Sequence, residues 1–250
     1  MKGTELGTAI HGNVASPASP PLTPGPSPGA SEGSVVSRRA TNIGKGLYAI
    51  TPDTPDTAGL LLSLEQALLG GVRLVQYRNK VADAALKREQ ASALLSLCRR
   101  FAVPLIINDD LDLALALDAE GVHLGREDAP GGMKAARSAL GPDKLLGVSC
   151  YGEIERAREA AASGADYVAF GALFPSSTKP AAGRAPLELF SRARQEIGCA
   201  LCGIGGITLE NAPAAITAGA DLLAVISDLF DAPDIISRAQ AYSELWRTGK

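Results

Sequence analysis

From residue 46 onward, one pattern of apolar and polar positions recurs along the chain. A helical stretch rich in Ala and Leu ends at a stop containing Gly, and a short, mainly apolar run follows. Eight such runs are present, at Leu47–Ile50, Leu74–Arg78, Leu105–Ile107, Val122–Leu124, Leu145–Val148, Tyr167–Phe170, Ala200–Ile204 and Leu222–Ile226. Apolar strands between amphipathic helices indicate a parallel sheet covered by helices, because an antiparallel sheet with one wet face alternates polar and apolar residues. Eight units over roughly 200 residues predict a single (β/α)8 TIM barrel.

The glycine in these stops suits the left-handed residue that ends many helices. Such glycines stand at Gly70-Gly71, Gly121, Gly164 and Gly219. A doubly wound open sheet is the alternative fold. The Gly-x-Gly-x-x-Gly turn of dinucleotide-binding sheets does not follow the first strand, which favours the barrel.

The first 44 residues differ in composition from the rest of the chain. They hold six of the 16 prolines, are rich in Ser, Gly, Ala and Thr, and contain no Phe, Trp or Tyr. Such a segment buries too little apolar surface to offset the entropy lost on ordering. We therefore predict a disordered extension over residues 1–44 and the barrel domain over residues 45–250.

Composition and charge argue against membrane and nucleic-acid proteins. The chain is 46% hydrophobic, but it lacks a run of roughly 20 apolar residues as well as the apolar stretch of a signal peptide. We therefore expect a cytoplasmic protein. A net charge of −3 and a pI near 5.5 argue against nonspecific nucleic-acid binding, which needs a concentrated excess of Lys and Arg.

Cysteine and histidine usage argues against a disulfide scaffold and a zinc site. The four cysteines are scattered, at Cys98, Cys150, Cys199 and Cys202, and we expect reduced structural thiols. Cys199 and Cys202 have metal-like spacing but lie in a predicted strand, where residues three apart point to opposite faces. The only histidines are His11 and His123, too few for a multi-histidine zinc site.

The second predicted strand ends in long polar side chains. Gln76, Arg78 and Lys80 are spaced two residues apart, and the pleat of a strand would direct all three to one side. Arg offers a planar fork to phosphate oxygens and Lys a compact charge. Active sites of TIM barrels lie at the carboxyl ends of the strands, so this segment is a candidate polyphosphate site. A solvated loop is the alternative.

Carboxylates follow the third and fourth strands. Asn108-Asp109 ends the third strand, and Asp128 comes soon after the fourth. Two carboxylates plus substrate phosphates suit Mg²⁺, although Asp109 could instead cap the helix that starts near Leu111. His123 stands within the fourth strand, where it is either a packed, hydrogen-bonded residue or a proton-transfer group.

The last three strands end in hydroxyls and glycines. A loop with Ser176, Thr178 and Lys179 follows the sixth strand, Gly205-Gly206 the seventh, and Ser227 the eighth. Many TIM barrels bind a phosphate after strands seven and eight, although a glycine run also serves tight packing. Two phosphate sites imply group transfer between two phosphorylated small molecules. An activated Ser, Cys or base dyad is not apparent, which favours stabilisation of a leaving group.

Seven motifs together carry a resemblance to one family. They are Gly46-Leu-Tyr-Ala-Ile-Thr-Pro-Asp53, Gln76-x-Arg78-x-Lys80, Asn108-Asp109, Gly121-Val-His-Leu-Gly125 with Glu127-Asp128, Gly147-Val-Ser149, Phe174-Pro-Ser-Ser-Thr-Lys179 and Gly203-Ile-Gly-Gly-Ile207. In this order they resemble the thiamine phosphate synthase family along nearly the whole of residues 46–230. The resemblance implies that a pyrimidine diphosphate ionises to pyrophosphate and a pyrimidine methyl cation, which the nitrogen of a thiazole phosphate captures.

The resemblance also implies a role for each matching residue. The pyrimidine diphosphate would be held by Gln76, Arg78, Lys80, Asn108, Ser149 and Lys179. Of these, Arg78, Lys80, Ser149 and Lys179 would assist catalysis. Mg²⁺ would bind to Asp109 and Asp128. The thiazole phosphate would be held by Ser176, Thr178, Gly206, Ile226 and Ser227.

The sequence departs from the family pattern at three positions. Ser176 replaces a frequent Thr, Arg126 a frequent Gln, and Pro180 follows Lys179. Ser176 keeps a hydroxyl, and Arg126 adds a charge near the expected metal. A thiazole phosphate isomerase and a catalytically silent phosphate-binding barrel are the alternative functions. The diphosphate residues favour the synthase, because an isomerase needs no diphosphate site.

Overall fold

The computed structural model describes residues 43–129, 131–175 and 184–248. Eight parallel strands form a closed barrel in chain order, and the last strand pairs with the first. The strands are β1 (Gly46–Ile50), β2 (Leu74–Tyr77), β3 (Leu105–Asn108), β4 (Gly121–Leu124), β5 (Leu145–Tyr151), β6 (Tyr167–Phe170), β7 (Ala200–Ile204) and β8 (Leu222–Val225). The prediction of a (β/α)8 barrel is therefore confirmed, and the open-sheet alternative is wrong.

Helices follow the strands around the outside of the barrel. Within the described residues they are α1 (Thr57–Leu69), α2 (Ala84–Arg100), α3 (Leu111–Ala116), α4 (Met133–Leu140), α5 (Ile154–Ala162), α6 (Glu188–Glu196), α7 (Ala212–Ala218), α8 (Ser227–Phe230) and α9 (Ile235–Thr248). None of these described helices has the length and apolar character needed to cross a membrane.

The core has two layers, one on each side of the strand wall. In β1, Tyr48 and Ile50 belong to the inner cluster, whereas Leu47 and Ala49 pack against the helices. Because both faces of each strand are buried, the strands are almost continuously apolar. This explains why the apolar runs in the sequence locate all eight strands.

The four cysteines are buried and free. Cys199 packs in the outer cluster and Cys202 in the inner one, so the prediction that the two point to opposite faces is confirmed. Burial raises the pKa of the Cys98, Cys150 and Cys199 thiols to about 12. These thiols are therefore protonated at neutral pH and act as small packing groups.

Three of the four predicted helix-ending glycines have the left-handed backbone conformation, and the fourth does not. The prediction is confirmed by positive φ angles at Gly71, Gly164 and Gly219. It is wrong at Gly121, which is the first residue of β4. After α3 the left-handed residue is Asp118, with φ of 55°. Gly121 is needed for another reason, because a Cβ there would lie 2.3 Å from the carbonyl oxygen of Leu145.

A clasp made of an Arg, a carboxylate and a backbone N–H repeats three times at the amino-terminal ends of the strands. In each clasp, the carboxylate stands just before an even-numbered strand. It accepts from a backbone N–H of the preceding, odd-numbered strand and from an Arg of the helix that leads into that odd-numbered strand. The clasps are Arg99–Glu120–Leu105, Arg137–Asp166–Leu146 and Arg194–Asp221–Leu201. They recur every second βα unit and tie helix to strand on the face opposite to the active-site end of TIM barrels.

The packed chain begins earlier than the boundary inferred from composition. Ile43 is only 4% exposed and belongs to the inner cluster of the barrel. It stands three residues before β1, and so at the amino-terminal ends of the strands. The barrel therefore includes at least residues 43 and 44, which the sequence analysis assigned to the extension.

Two truncations separate the extension from this packed residue. We expect deletion of residues 1–42 to leave the melting temperature nearly unchanged, because the composition of this segment predicts no core of its own. Deletion of residues 1–44 also removes Ile43, and burial of such a side chain contributes about 1.5 to 3 kcal/mol. Chemical denaturation should show a loss of this size between the two proteins. Equal stabilities would mean that Ile43 adds nothing.

Candidate active site

A cavity of about 920 Å³ opens at the carboxyl ends of the strands, and residues from all eight strand ends line it. The cavity brings together ten of the residues expected from the sequence: Gln76, Arg78, Lys80, Asn108, Asp109, Asp128, Ser149, Gly206, Ile226 and Ser227. The other three, Ser176, Thr178 and Lys179, lie outside the described residues. The strand ends thus place the cations, the carboxylates and the glycine loop around one space.

Arg78 is held in place by residues at the end of β1. Its Nη1 lies 3.0 Å from both carboxylate oxygens of Asp53, and the buried Thr51 hydroxyl both accepts from the Arg78 N–H and donates to its carbonyl, each at 2.9 Å. Asp53 also accepts from the backbone N–H of Lys80 at 2.8 Å. One carboxylate therefore orients the whole basic segment. Asp53 ends one of the family motifs in the sequence, but no role was predicted for it.

Asp109 faces the cavity and does not cap the next helix. The cap of α3 is Asp110, whose Oδ1 accepts from the N–H of Leu113 at 2.8 Å, so the capping alternative for Asp109 is wrong. Asp109 has φ of 62°, and its N–H donates to the carbonyl of His123 at 2.8 Å. This backbone turns its carboxylate toward Lys80, with Oδ2 3.5 Å from the Lys80 Nζ.

Asp128 lies beside Asp109. Its Oδ2 accepts from the N–H of Gly125 at 2.8 Å. Burial raises the pKa of the Asp128 carboxyl, the Gly125 N–H opposes that rise, and the adjacent Asp109 carboxyl adds to it. Two carboxylates thus share a partly buried space with one lysine. Among the described residues, no group of three or more His, Cys, Asp or Glu could hold a metal ion, so the site offers a carboxylate pair and not a complete cage.

The glycine loop after β7 forms the opposite wall. The carbonyls of Ile204 and Gly205 accept from the N–H groups of Leu173 and Phe174, both at 3.0 Å. Because N–H and C=O of one peptide unit point in opposite directions, the N–H groups of Gly205 and Gly206 are directed away from these contacts. Gly206 has φ of 64°, and a Cβ there would lie 2.3 Å from the Pro175 carbonyl oxygen.

The charge of the carboxylate beside this wall is offset by contacts with a neighbouring helix. Asp228 lines the cavity next to Ser227, but its Oδ2 lies 2.7 Å from the Arg238 Nη1 and accepts from the Tyr242 hydroxyl at 2.7 Å. Both partners belong to α9. Their contacts reduce the negative charge that Asp228 would otherwise present to a phosphate.

A row of hydrogen-bonded side chains crosses the inside of the barrel beneath the cavity, and we call it the polar chain. In order, it consists of Gln76, Tyr48, Tyr167, His123 and Ser149. The amide Nε2 of Gln76 donates to the Tyr48 hydroxyl at 2.7 Å, and the two tyrosine hydroxyls are 2.7 Å apart. His123 contacts the Tyr167 hydroxyl through Nδ1 at 3.0 Å and the Ser149 hydroxyl through Nε2 at 2.8 Å.

His123 is the packed, hydrogen-bonded residue that one of the two interpretations expects. It is only 6% exposed. Burial lowers the pKa of its imidazole to about 4, although the charge of Asp128 opposes the change. At neutral pH the ring is therefore uncharged, with one nitrogen protonated and the other free to accept.

Arg126 is paired with Glu153 and lies over the ring of Tyr151. Its Nη2 donates to Glu153 at 2.6 Å, and its guanidinium lies 5.5 Å from the centre of the Tyr151 ring. On this geometry, Glu153 compensates much of the charge that Arg126 adds near Asp128.

The residues that orient others were not predicted from the sequence. Tyr48 and Tyr167 lie within apolar strands, where an aromatic residue is expected to pack. The only signal for their hydroxyls is that a buried Tyr usually finds a hydrogen-bond partner. Partners 119 residues apart in the chain, as Tyr48 and Tyr167 are, are not visible in a local pattern.

Comparisons with known proteins identify the family. The family model described as "Thiamine monophosphate synthase" matches residues 47–229. The chain is 60% identical over 202 residues to the thiamine-phosphate synthase of Aromatoleum aromaticum, covering 81% of this chain and 96% of the relative. It is 59% identical over 202 residues to that of an Azoarcus species, covering 81% and 97%.

A solved structure is also similar to this chain. The thiamine phosphate pyrophosphorylase of Pyrococcus furiosus superposes with a TM-score of 0.71 at 32% identity, covering 81% of this chain and 95% of that one. The family match covers well over half of the chain, and the relatives are matched over nearly their full length. This chain therefore belongs to the thiamine monophosphate synthase family.

Proposed function

We propose that this protein is a thiamine phosphate synthase. It would transfer the 4-amino-2-methylpyrimidinylmethyl group from its diphosphate to thiazole phosphate, giving thiamine phosphate and pyrophosphate. The observation that carries the proposal is the division of one cavity into two walls. Arg78, Lys80, Asp109 and Asp128 line one wall, and the glycine loop with Ser227 lines the other. One wall suits a metal diphosphate and the other a phosphate monoester.

The carboxylate pair fits Mg²⁺. Mg²⁺ prefers oxygen ligands and typically binds to one or two carboxylates plus substrate phosphates. Asp109 and Asp128 provide two carboxylates whose mutual repulsion is offset only in part by Lys80, so a divalent cation would stabilise the pair. When bound, Mg²⁺ would neutralise negative charge on the diphosphate as it departs.

The residues on this wall would act on the leaving group. As the C–O bond to the diphosphate breaks, its electron pair moves onto the departing pyrophosphate, and the thiazole nitrogen forms the new C–N bond with its own lone pair. Arg78 and Lys80 place positive charge where negative charge accumulates, which lowers the barrier. Asp53 holds Arg78 in place before substrate binds, so little reorganisation remains. The family resemblance adds Lys179 to the cations that would act on the leaving group.

The direct test is an assay of purified protein with both substrates and Mg²⁺. We expect thiamine phosphate and pyrophosphate to appear in equal amounts, and both to stop when the metal is chelated. Omitting thiazole phosphate gives the matched control for uncoupled hydrolysis. Isomerisation of a thiazole phosphate without release of pyrophosphate would instead support the isomerase and overturn the proposal.

Exchanging one cation for another tests the orientation of Arg78. Lys has no planar fork, so it cannot bond Asp53 and a diphosphate at the same time in the way that Arg can. Loss of one or two charge-assisted hydrogen bonds, each about 1.5 to 3 kcal/mol, should raise the KM for the pyrimidine diphosphate in Arg78→Lys by at least about tenfold. Arg88→Lys, on the exposed surface of α2, is the control and should leave KM unchanged. An unchanged KM in Arg78→Lys would contradict the role of the fork.

A further inference from the structure

We propose that the polar chain fixes the direction in which the Ser149 hydroxyl points its proton, making it a hydrogen-bond donor to the diphosphate. Tyr48, Tyr167 and His123 are then positioning residues that act through Ser149. The inference rests on the proposed function, because the diphosphate is the ligand of that function. It extends that function by assigning a task to three buried residues inside the barrel.

The direction starts at Gln76. Its amide nitrogen donates to the Tyr48 hydroxyl, and an amide nitrogen can only donate. Among the described residues, the hydrogen-bond partners of the Tyr48 hydroxyl are Gln76 and Tyr167, and Tyr48 is 1% exposed. Its own proton must therefore go to the Tyr167 oxygen. A buried hydroxyl that kept its proton unpaired would incur the cost of desolvation.

The order of donors and acceptors continues to Ser149. Tyr167 accepts from Tyr48, so its proton goes to the Nδ1 of His123. Nδ1 therefore accepts and carries no proton, so the proton of the imidazole lies on Nε2. Nε2 then donates to the Ser149 oxygen at 2.8 Å. Because that contact already supplies a proton to the Ser149 oxygen, the proton of Ser149 itself remains for the cavity, which Ser149 lines.

The opposite direction gives the opposite chemistry. If Ser149 donated to His123, it would present only lone pairs to the cavity. Those lone pairs would repel the oxygens of a diphosphate. A site built for an anion therefore needs the direction that starts at Gln76.

Packing holds the side chains of the polar chain in one arrangement. The rings of His123 and Tyr167 are stacked with centroids 5.5 Å apart, and those of Tyr48 and Tyr167 meet edge to face at 5.7 Å. Gly147 leaves room for the Tyr167 ring, because a Cβ at position 147 would lie 2.0 Å from the Tyr167 Cζ. Gly147 and Ser149 belong to the same strand, β5, so one short segment both admits the tyrosine and carries the hydroxyl that it orients.

The tautomer of His123 is the first test, and it does not depend on catalysis. The chain has only two histidines, so His11→Gln leaves His123 alone. In the ¹⁵N-histidine NMR spectrum of this variant at neutral pH, we expect a protonated Nε2 and an unprotonated Nδ1. A protonated Nδ1 would mean that the donors of the polar chain run in the opposite direction, and it would overturn the inference.

Binding of inorganic pyrophosphate with Mg²⁺, measured by calorimetry, is the second test. Ser149→Ala and Tyr167→Phe should each weaken the Kd by about tenfold, the size expected for one hydrogen bond to a charged group. The double variant should bind no more weakly than Ser149→Ala, because Tyr167 acts through Ser149. Additive losses would show that Tyr167 has a separate structural role, and would overturn the inference. Tyr77→Phe is the matched control, since its buried hydroxyl bonds Gln90 outside the polar chain.

These measurements separate the two proposals. A chain with the expected tautomer and the expected pyrophosphate binding, but without thiamine phosphate formation, would refute the proposed function alone. Thiamine phosphate formation with a protonated Nδ1 would refute the inference alone. For the active enzyme, Tyr167→Phe should raise the KM for the pyrimidine diphosphate and leave the KM for thiazole phosphate unchanged.

Discussion

Asp109→Asn is expected to lower kcat/KM for thiamine phosphate synthesis by about two to three orders of magnitude, the loss typical when one preorganised electrostatic group is removed. Asn keeps the size of the side chain but removes the charge that would bind Mg²⁺ and face Lys80. The remaining carboxylate, Asp128, would hold the metal more weakly. Titration of activity with Mg²⁺ should therefore also show a higher half-saturating concentration.

The neighbouring residue provides the control. Asp110→Asn removes an adjacent negative charge, but Asn caps helices about as well as Asp does. Since Asp110 caps α3, this variant should keep both its melting temperature and its kcat/KM. Equal losses in the two variants would indicate that charge in this loop matters in general, and would remove the support for a metal role specific to Asp109.

Asp166→Ala is expected to lower the free energy of unfolding by about 3 to 5 kcal/mol, which is the cost of removing one partner from a buried ion pair. Asp166 is 2% exposed and binds both the Arg137 guanidinium and the backbone N–H of Leu146. Its removal leaves both donors without this acceptor. Folded proteins are stable by only about 5 to 15 kcal/mol, so urea denaturation should show a much earlier midpoint.

An exposed ion pair provides the contrast. Glu65→Ala removes the partner of Arg100, where the two side chains are 37% and 68% exposed, and should cost less than about 1 kcal/mol. Because the Asp166 clasp lies at the end of the barrel opposite to the cavity, folded Asp166→Ala protein should retain its KM values at low temperature. A loss of stability no larger than that of Glu65→Ala would refute a structural role for the clasp.

The amino-acid sequence predicted the barrel and ten of the residues that line its cavity. Strands buried on both faces are continuously apolar, so each strand was visible in the local pattern. In a closed parallel barrel the residues after all strands meet at one end, so the order of elements was sufficient to bring Arg78, Lys80, Asp109 and Asp128 together. The resemblance to a family then connected these residues to one reaction.

Which side chains orient the others depends on the closed barrel and was not predictable from the sequence. That Asp110 and not Asp109 caps α3, that Asp53 holds Arg78, and that the polar chain runs from Gln76 to Ser149 all depend on contacts between strands. Gly121 shows the same limit, since it serves a close approach to Leu145 and not a helix end. Local patterns report the burial and the backbone preference of one residue. A hydrogen bond between distant residues depends on distances and angles that are set when the barrel closes.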